Sequence, residues 1–209
     1  MASRRSGAPH RAIRRTGVLP EILVFTEGEP TEVQYLTHWW RRHRESVRVT
    51  IDPFHGGPLQ LVRHAVARQK ADKIDERKGR GRAPSEIWCM FDIDEHPHLP
   101  DSLQLARDHG IRTAVSNPCF EVWYLLHFQD RAAWIDRHSA QADAGGYVSR
   151  AKSLTPDDLN LLVQRYEVAR GRAQHLARRH EANGNPAGDN PSSTVWELVD
   201  SIRRAPIVG

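Results

Sequence analysis

Glu21-Ile22-Leu23-Val24-Phe25-Thr26-Glu27-Gly28 opens as an apolar run and ends on an acid and a glycine. Such a run, with no polar alternation in its middle, reads as a strand buried on both faces, which is how parallel sheets covered by helices are built. Just beyond it, Pro30 suits the first turn of a helix, and Val33, Leu36 and Trp39 or Trp40 continue at helical spacing.

The same alternation then repeats along the chain. Residues 47–51 predict a second strand and residues 59–74 a second helix, with Leu59, Val62, Val66 and Ile74 on or near one face. Residues 86–91 predict a third strand, and residues 102–109 a short helix stopped by Gly110. A fourth strand follows at 111–116, then a helix dense in aromatics at 120–128. Strands alternating with helices predict an α/β fold, a three-layer sandwich around a four-stranded, mainly parallel sheet.

After His127 the strand signals stop. Residues 129–154 read as irregular, with Gly145 and Gly146. Thr155 then caps a helix, with Pro156 at its first position and Asp157 and Asp158 in its first turn. The stripe Leu159, Leu162, Tyr166, Ala169, Ala173, Leu176 carries that helix to Gly184, and Asn190 and Pro191 start a last one with Val195, Leu198, Val199 and Ile202 facing inward. The expected organisation is a disordered basic tail over 1–18, an α/β domain over 19–130, and an irregular segment with two helices packed on it over 131–209.

Composition narrows the function classes. With 39% apolar and 27% charged residues in a chain of 209, a sizeable core is affordable. The formal net charge of +4 favours polyanion partners, nucleic acid among them, although a coding bias towards arginine explains the excess equally well. Cys89 and Cys119, the two cysteines, sit in apolar runs; they are too few for a disulfide framework or a zinc site of their own. No apolar run approaches the roughly twenty residues that span a bilayer. The arginines at 4, 5, 11, 14 and 15 precede no signal-like apolar stretch, so the expected location is cytoplasmic. The basic stretch Arg77, Lys78, Arg80 and Arg82 precedes the third strand and is expected at the amino-end rim of the sheet.

The chemistry is expected at the opposite rim. In an open parallel sheet, sites form at the carboxyl ends of strands. Glu27 follows the first strand, and Asp92 and Asp94 end the third. Were those strands neighbours, about 5 Å apart, the three carboxylates would converge. Residues two apart in an extended chain point to one side, and hard oxygen ligands in small number are what Mg²⁺ (or Mn²⁺) takes while keeping several waters. The bland alternative is that the aspartates cap the following segment and Glu27 is a turn residue. Asn117 and Glu121 follow the fourth strand at the same rim. With Asn117 as cap and Pro118 opening the helix, the block is either a phosphate contact with an accessory carboxylate or simply a capped helix. Glu32, one turn after Glu27, either assists the metal or is a first-turn acid. Trp123 to Leu126 read as core rather than as a base-stacking platform.

Taken together, these runs resemble a known family. Thr26-Glu27-Gly28-Glu29-Pro30-Thr31-Glu32 resembles the opening motif of Toprim-type proteins, and Phe91-Asp92-Ile93-Asp94 their Asp-x-Asp motif. With Asn117-Pro118-Cys119-Phe120-Glu121-Val122-Trp123, Leu126-His127-Phe128 and the late Asn190-Pro191, Thr194 and Leu198, the chain is similar to the RloB family over roughly residues 21–202. That resemblance implies a Toprim-like domain, a link to restriction loci and abortive phage defence, and a partner ATPase encoded nearby. It implies a nuclease in which Glu27 is the general acid or base and Asp92 and Asp94 hold Mg²⁺, with Lys152 as a phosphate contact. The alternative activity is a non-catalytic nucleotide- or metal-sensing module that regulates the ATPase. RNA against DNA as substrate, and monomer against homo-oligomer, are left open.

Overall fold

The computed structural model describes residues 18–27, 30–93, 96, 98–148 and 153–204. Of the expected features, the basic tail over 1–17, Asp94 and Lys152 lie outside the described residues.

The chain runs β1 (Glu21–Thr26), α1 (Pro30–His43), β2 (Arg48–Ile51), α2 (Pro58–Arg77), β3 (Glu86–Asp92), α3 (Leu99–His109), β4 (Arg112–Asn117) and α4 (Glu121–Phe128). It continues through α5 (Arg137–Ala144), α6 (Pro156–Gln164), α7 (Tyr166–Ala182), β5 (Ser192–Ser193) and α8 (Val195–Arg204). The strands form one sheet in the order β2-β1-β3-β4-β5. The first four are parallel, while β5 pairs antiparallel with β4 through Ser116–Ser193 and Asn117–Ser192.

The apolar middles of β1 and β3 are explained by their position inside the sheet, where both faces are covered. Ile22, Val24, Trp88 and Met90 point into one core with α1, α4, α7 and α8. Leu23, Phe25, Ile87, Cys89 and Phe91 point into the other, against α2 and α3. Three layers result, and β1 and β3 are direct neighbours with Thr26 opposite Met90. Gly110 ends α3 in the left-handed conformation (φ 67°), which a residue without Cβ adopts at little cost.

Several expectations are corrected. The sheet has five strands, not four: β5 is two serines long and carries no apolar signal, so only its pairing with β4 reveals it. The segment expected to be irregular contains α5, whose start Asp136 caps by accepting from the Ser139 backbone N–H at 3.0 Å. The single helix expected from Thr155 to Gly184 is two, parted at Arg165; Arg165 Nε donates to the His127 carbonyl at 2.6 Å. The Thr155 cap itself is present as a reciprocal capping box with Asp158. The final helix starts at Val195, after the cis Asn190–Pro191 bond and β5, rather than at Asn190. No helix among the described residues is long and apolar enough to cross a membrane.

Candidate functional site

β1 and β3 run in the same direction side by side, so their carboxyl ends meet at one rim. Glu27 leaves β1 there, and its Oε2 accepts the backbone N–H of Asp92 at 3.2 Å. Asp92 is the last residue of β3 and is only 4% exposed. On its far side the guanidinium of Arg137, from the first turn of α5, stands 3.2 Å from Asp92 Oδ2. The Phe120 backbone N–H also donates to this carboxylate. On the near side, His96 Nε2 is 3.4 Å from Glu27 Oε1. The result is a row: Arg137, Asp92, Glu27, His96.

Burial pushes the Asp92 carboxyl up to about 8, and the neighbouring charges of Glu27 and Glu121 push the same way. Arg137 and the Phe120 N–H oppose them without prevailing. Like charges crowded in a poorly solvated rim disfavour a second ionisation. Cys119 is buried beside the same acids; burial first, then the Glu121 charge, raises its thiol, so it is not a nucleophile at neutral pH.

The sequence-predicted residues divide as follows. Glu27 and Asp92 are brought together. Glu121 is the first residue of α4 and acts electrostatically on Asp92. Glu32 is buried in the first turn of α1, and both it and Glu121 act on the buried Tyr124 hydroxyl, whose titration burial raises well above the usual range. Asn117 does not cap α4, which corrects the expectation for this block. It stays in β4, its Nδ2 donates to the Gly188 carbonyl at 2.8 Å, the Asn117–Pro118 bond is cis, and the helix begins only at Glu121 with no side-chain cap. Trp123, Tyr124, Leu125 and Leu126 are all core. Among the described residues, no group of three His, Cys, Asp or Glu side chains is arranged to hold a metal ion.

Two members of the row escaped the sequence reading as site residues. His96 is visible as a histidine close behind the acidic motif, but spacing alone does not turn it towards Glu27. Arg137 lies in a stretch without periodicity; its one signal is the Asp136 to Ser139 spacing of a helix cap.

No curated protein and no solved structure gives a significant match to this sequence. The family model described as RloB-like protein matches residues 22–202, from β1 into α8, and the chain belongs to the RloB-like family.

Proposed function

We propose that this protein is a metal-dependent nuclease of a bacterial anti-phage, abortive-infection system, on a Toprim-like α/β domain. The observation that carries the reading is the meeting of Glu27 and Asp92 at one sheet rim, with Asp92 held near protonation by burial and by its acidic neighbours. Such a pair is costly for the protein alone and becomes favourable beside a divalent cation. The donors are hard carboxylate oxygens, which suits Mg²⁺ or Mn²⁺ rather than a softer metal.

Asp92 and Asp94 would hold the ion, with Glu27 beside them. Bound there, it would supply Lewis-acid polarisation of a phosphate oxygen and a more acidic water. Glu27 serves as the acid or base, its carboxylate oriented from two sides by the Asp92 N–H and by His96. The Arg137 guanidinium, 38% exposed beside Asp92, presents donors of the right shape for phosphate oxygens. Glu32, Glu121 and Lys152 are the accessory candidates. The partner ATPase and the defence role rest on the family resemblance.

One feature favours a second reading, a non-catalytic nucleotide- or metal-sensing module that regulates the ATPase. Arg137 already gives Asp92 a positive neighbour without any ion. Incubating the purified protein with tRNA, single-stranded DNA and duplex DNA, in Mg²⁺ or in EDTA, separates the two. Cleavage that needs Mg²⁺ and disappears in Asp92→Asn supports the nuclease. Metal binding with no cleavage of any substrate transfers the assignment to the sensing module.

A further inference from the structure

Beyond His96 lies a groove of about 550 Å³ between the start of α2 and the β3–α3 connection. Gly57, Gln60, Arg63, His96 and His98 line it, and among the described residues Asp101 is its acid, 3.7 Å from His98. The groove and the carboxylates share a wall. The His96 ring meets Glu27 through Nε2, while its Cε1–Nδ1 edge lies about 4 Å from where a Cβ on Gly57 would stand.

The lining is suited to an anion. Arg63 is exposed on the first turns of α2 and reaches the groove with a permanent charge. His96 and His98 line the groove from a different element, both carried on the β3–α3 connection. The first turn of α2 contains no acid, and its cap residue, Gly57, has no side chain to satisfy the free backbone N–H groups. A phosphodiester brought to this rim meets the Glu27 carboxylate, so a strand gains from a cationic foothold next to it. This groove is such a foothold, one imidazole away.

We propose that the groove is a phosphate subsite for a single nucleic-acid strand, holding a backbone phosphate that flanks the one at the carboxylates, with Arg63 as its main charged contact. This rests on the nuclease reading and adds to it the path of the strand.

The test uses the full chain in EDTA, so that nothing is cleaved, and a labelled single-stranded oligonucleotide read by fluorescence anisotropy. Arg63→Glu weakens binding about tenfold or more, and Arg63→Ala lowers the slope of log affinity against log salt by about one. Arg82→Glu, the same charge change at an exposed site on the opposite rim, alters binding less than twofold by this reasoning. Arg63→Lys retains most of the affinity. Equal losses in Arg63→Glu and Arg82→Glu would mean diffuse attraction and overturn the proposal, as would unchanged binding in Arg63→Glu. Inorganic phosphate as competitor separates the sources: displacement of the strand only at concentrations far above the strand's Kd supports a backbone phosphate, whereas tight competition assigns the groove to free phosphate and overturns the strand path. If wild type cleaves with Mg²⁺ while Arg63→Glu binds and cleaves normally, the groove proposal alone falls. If wild type neither binds nor cleaves any strand, the nuclease reading falls with it.

Discussion

Arg137 reaches the Asp92 carboxylate at 3.2 Å across 45 residues of chain. Its position is set locally: Asp136, the residue before it, caps α5 by accepting from both the backbone N–H and the hydroxyl of Ser139. The helix start therefore delivers the guanidinium to the rim at a fixed place, although nothing else in that stretch belongs to the sheet.

Removing the guanidinium leaves Asp92, among the described residues, facing the like charges of Glu27 and Glu121. Arg137→Ala is expected to raise the Asp92 titration further and to cost about 1–3 kcal/mol above pH 8, where the carboxylate is charged. Arg137→Ala in an Asp92→Asn background should cost much less. Urea denaturation of the four proteins in EDTA gives the coupling; additive losses would show that the two side chains do not interact.

Asp92 also sets the alkaline behaviour of the metal-free protein. Its folded value of about 8 lies above the ordinary 3.8. Protons are thus held more tightly in the folded state, so this contribution is complete below pH 3.8 and is lost as pH rises through 8. Denaturation midpoints in EDTA should fall over that range in wild type and much less in Asp92→Asn. Adding Mg²⁺ should restore the wild-type midpoint at the alkaline end by mass action. An Mg²⁺-insensitive midpoint at pH 8–9 would count against a metal at this rim.

His127 governs the acid side. It is buried beneath Trp123, Tyr35 and Phe128, and burial foremost pushes it down to about 4, with Arg165 and Arg172 adding to the shift. Nδ1 lies 2.8 Å from the Trp123 carbonyl and Nε2 meets no acceptor among the described residues, so the neutral tautomer with a proton on Nδ1 fits the site. The folded value lies below the usual 6.5, so the stability is present above pH 6.5 and is lost as pH falls through 4. A stability profile of His127→Gln that keeps the full acid loss between pH 6.5 and 4 would remove His127 as its cause.

Glu27→Gln is expected to keep the shape of the rim, because a side-chain oxygen still accepts the Asp92 N–H. In the nuclease reading it lowers kcat by about 100-fold or more while leaving KM within a fewfold. A parallel rise in KM with kcat unchanged would make Glu27 a binding group instead of the acid or base.

The sequence discloses the sheet wherever burial is two-sided. Ile22 to Phe25 and Ile87 to Phe91 have no polar residue to place in water, and that alone marks central parallel strands. Neighbouring central strands then imply that Glu27 and Asp92 meet. What stays illegible is whatever depends on a tertiary partner. Ser192 and Ser193 are a strand only because β4 offers a free edge. Asn117 looks like a helix cap in isolation, but the edge pairing with Ser192 keeps it extended. Arg165 breaks a helix with no glycine or proline, its side chain turned to the His127 carbonyl. Arg137 and His96 carry charge or polarity without periodicity, so no pattern announces where they point.

The placement of β5 and α8 has a consequence for synthesis. Val195, Leu198, Val199 and Ile202 fill the core face shared by β1, β3 and α1, and Thr194 returns to bond Val115. A ribosome-bound chain that has already emitted both carboxylates of the rim still has that face exposed to water, with Ser116 and Asn117 lacking their partners on β5. The core closes only when residues 192–202 emerge, so a chain cut short before them is expected to be inert. For a protein proposed to injure its own cell, this ordering would delay the packed sheet that presents the rim until residues 192–202 have been made.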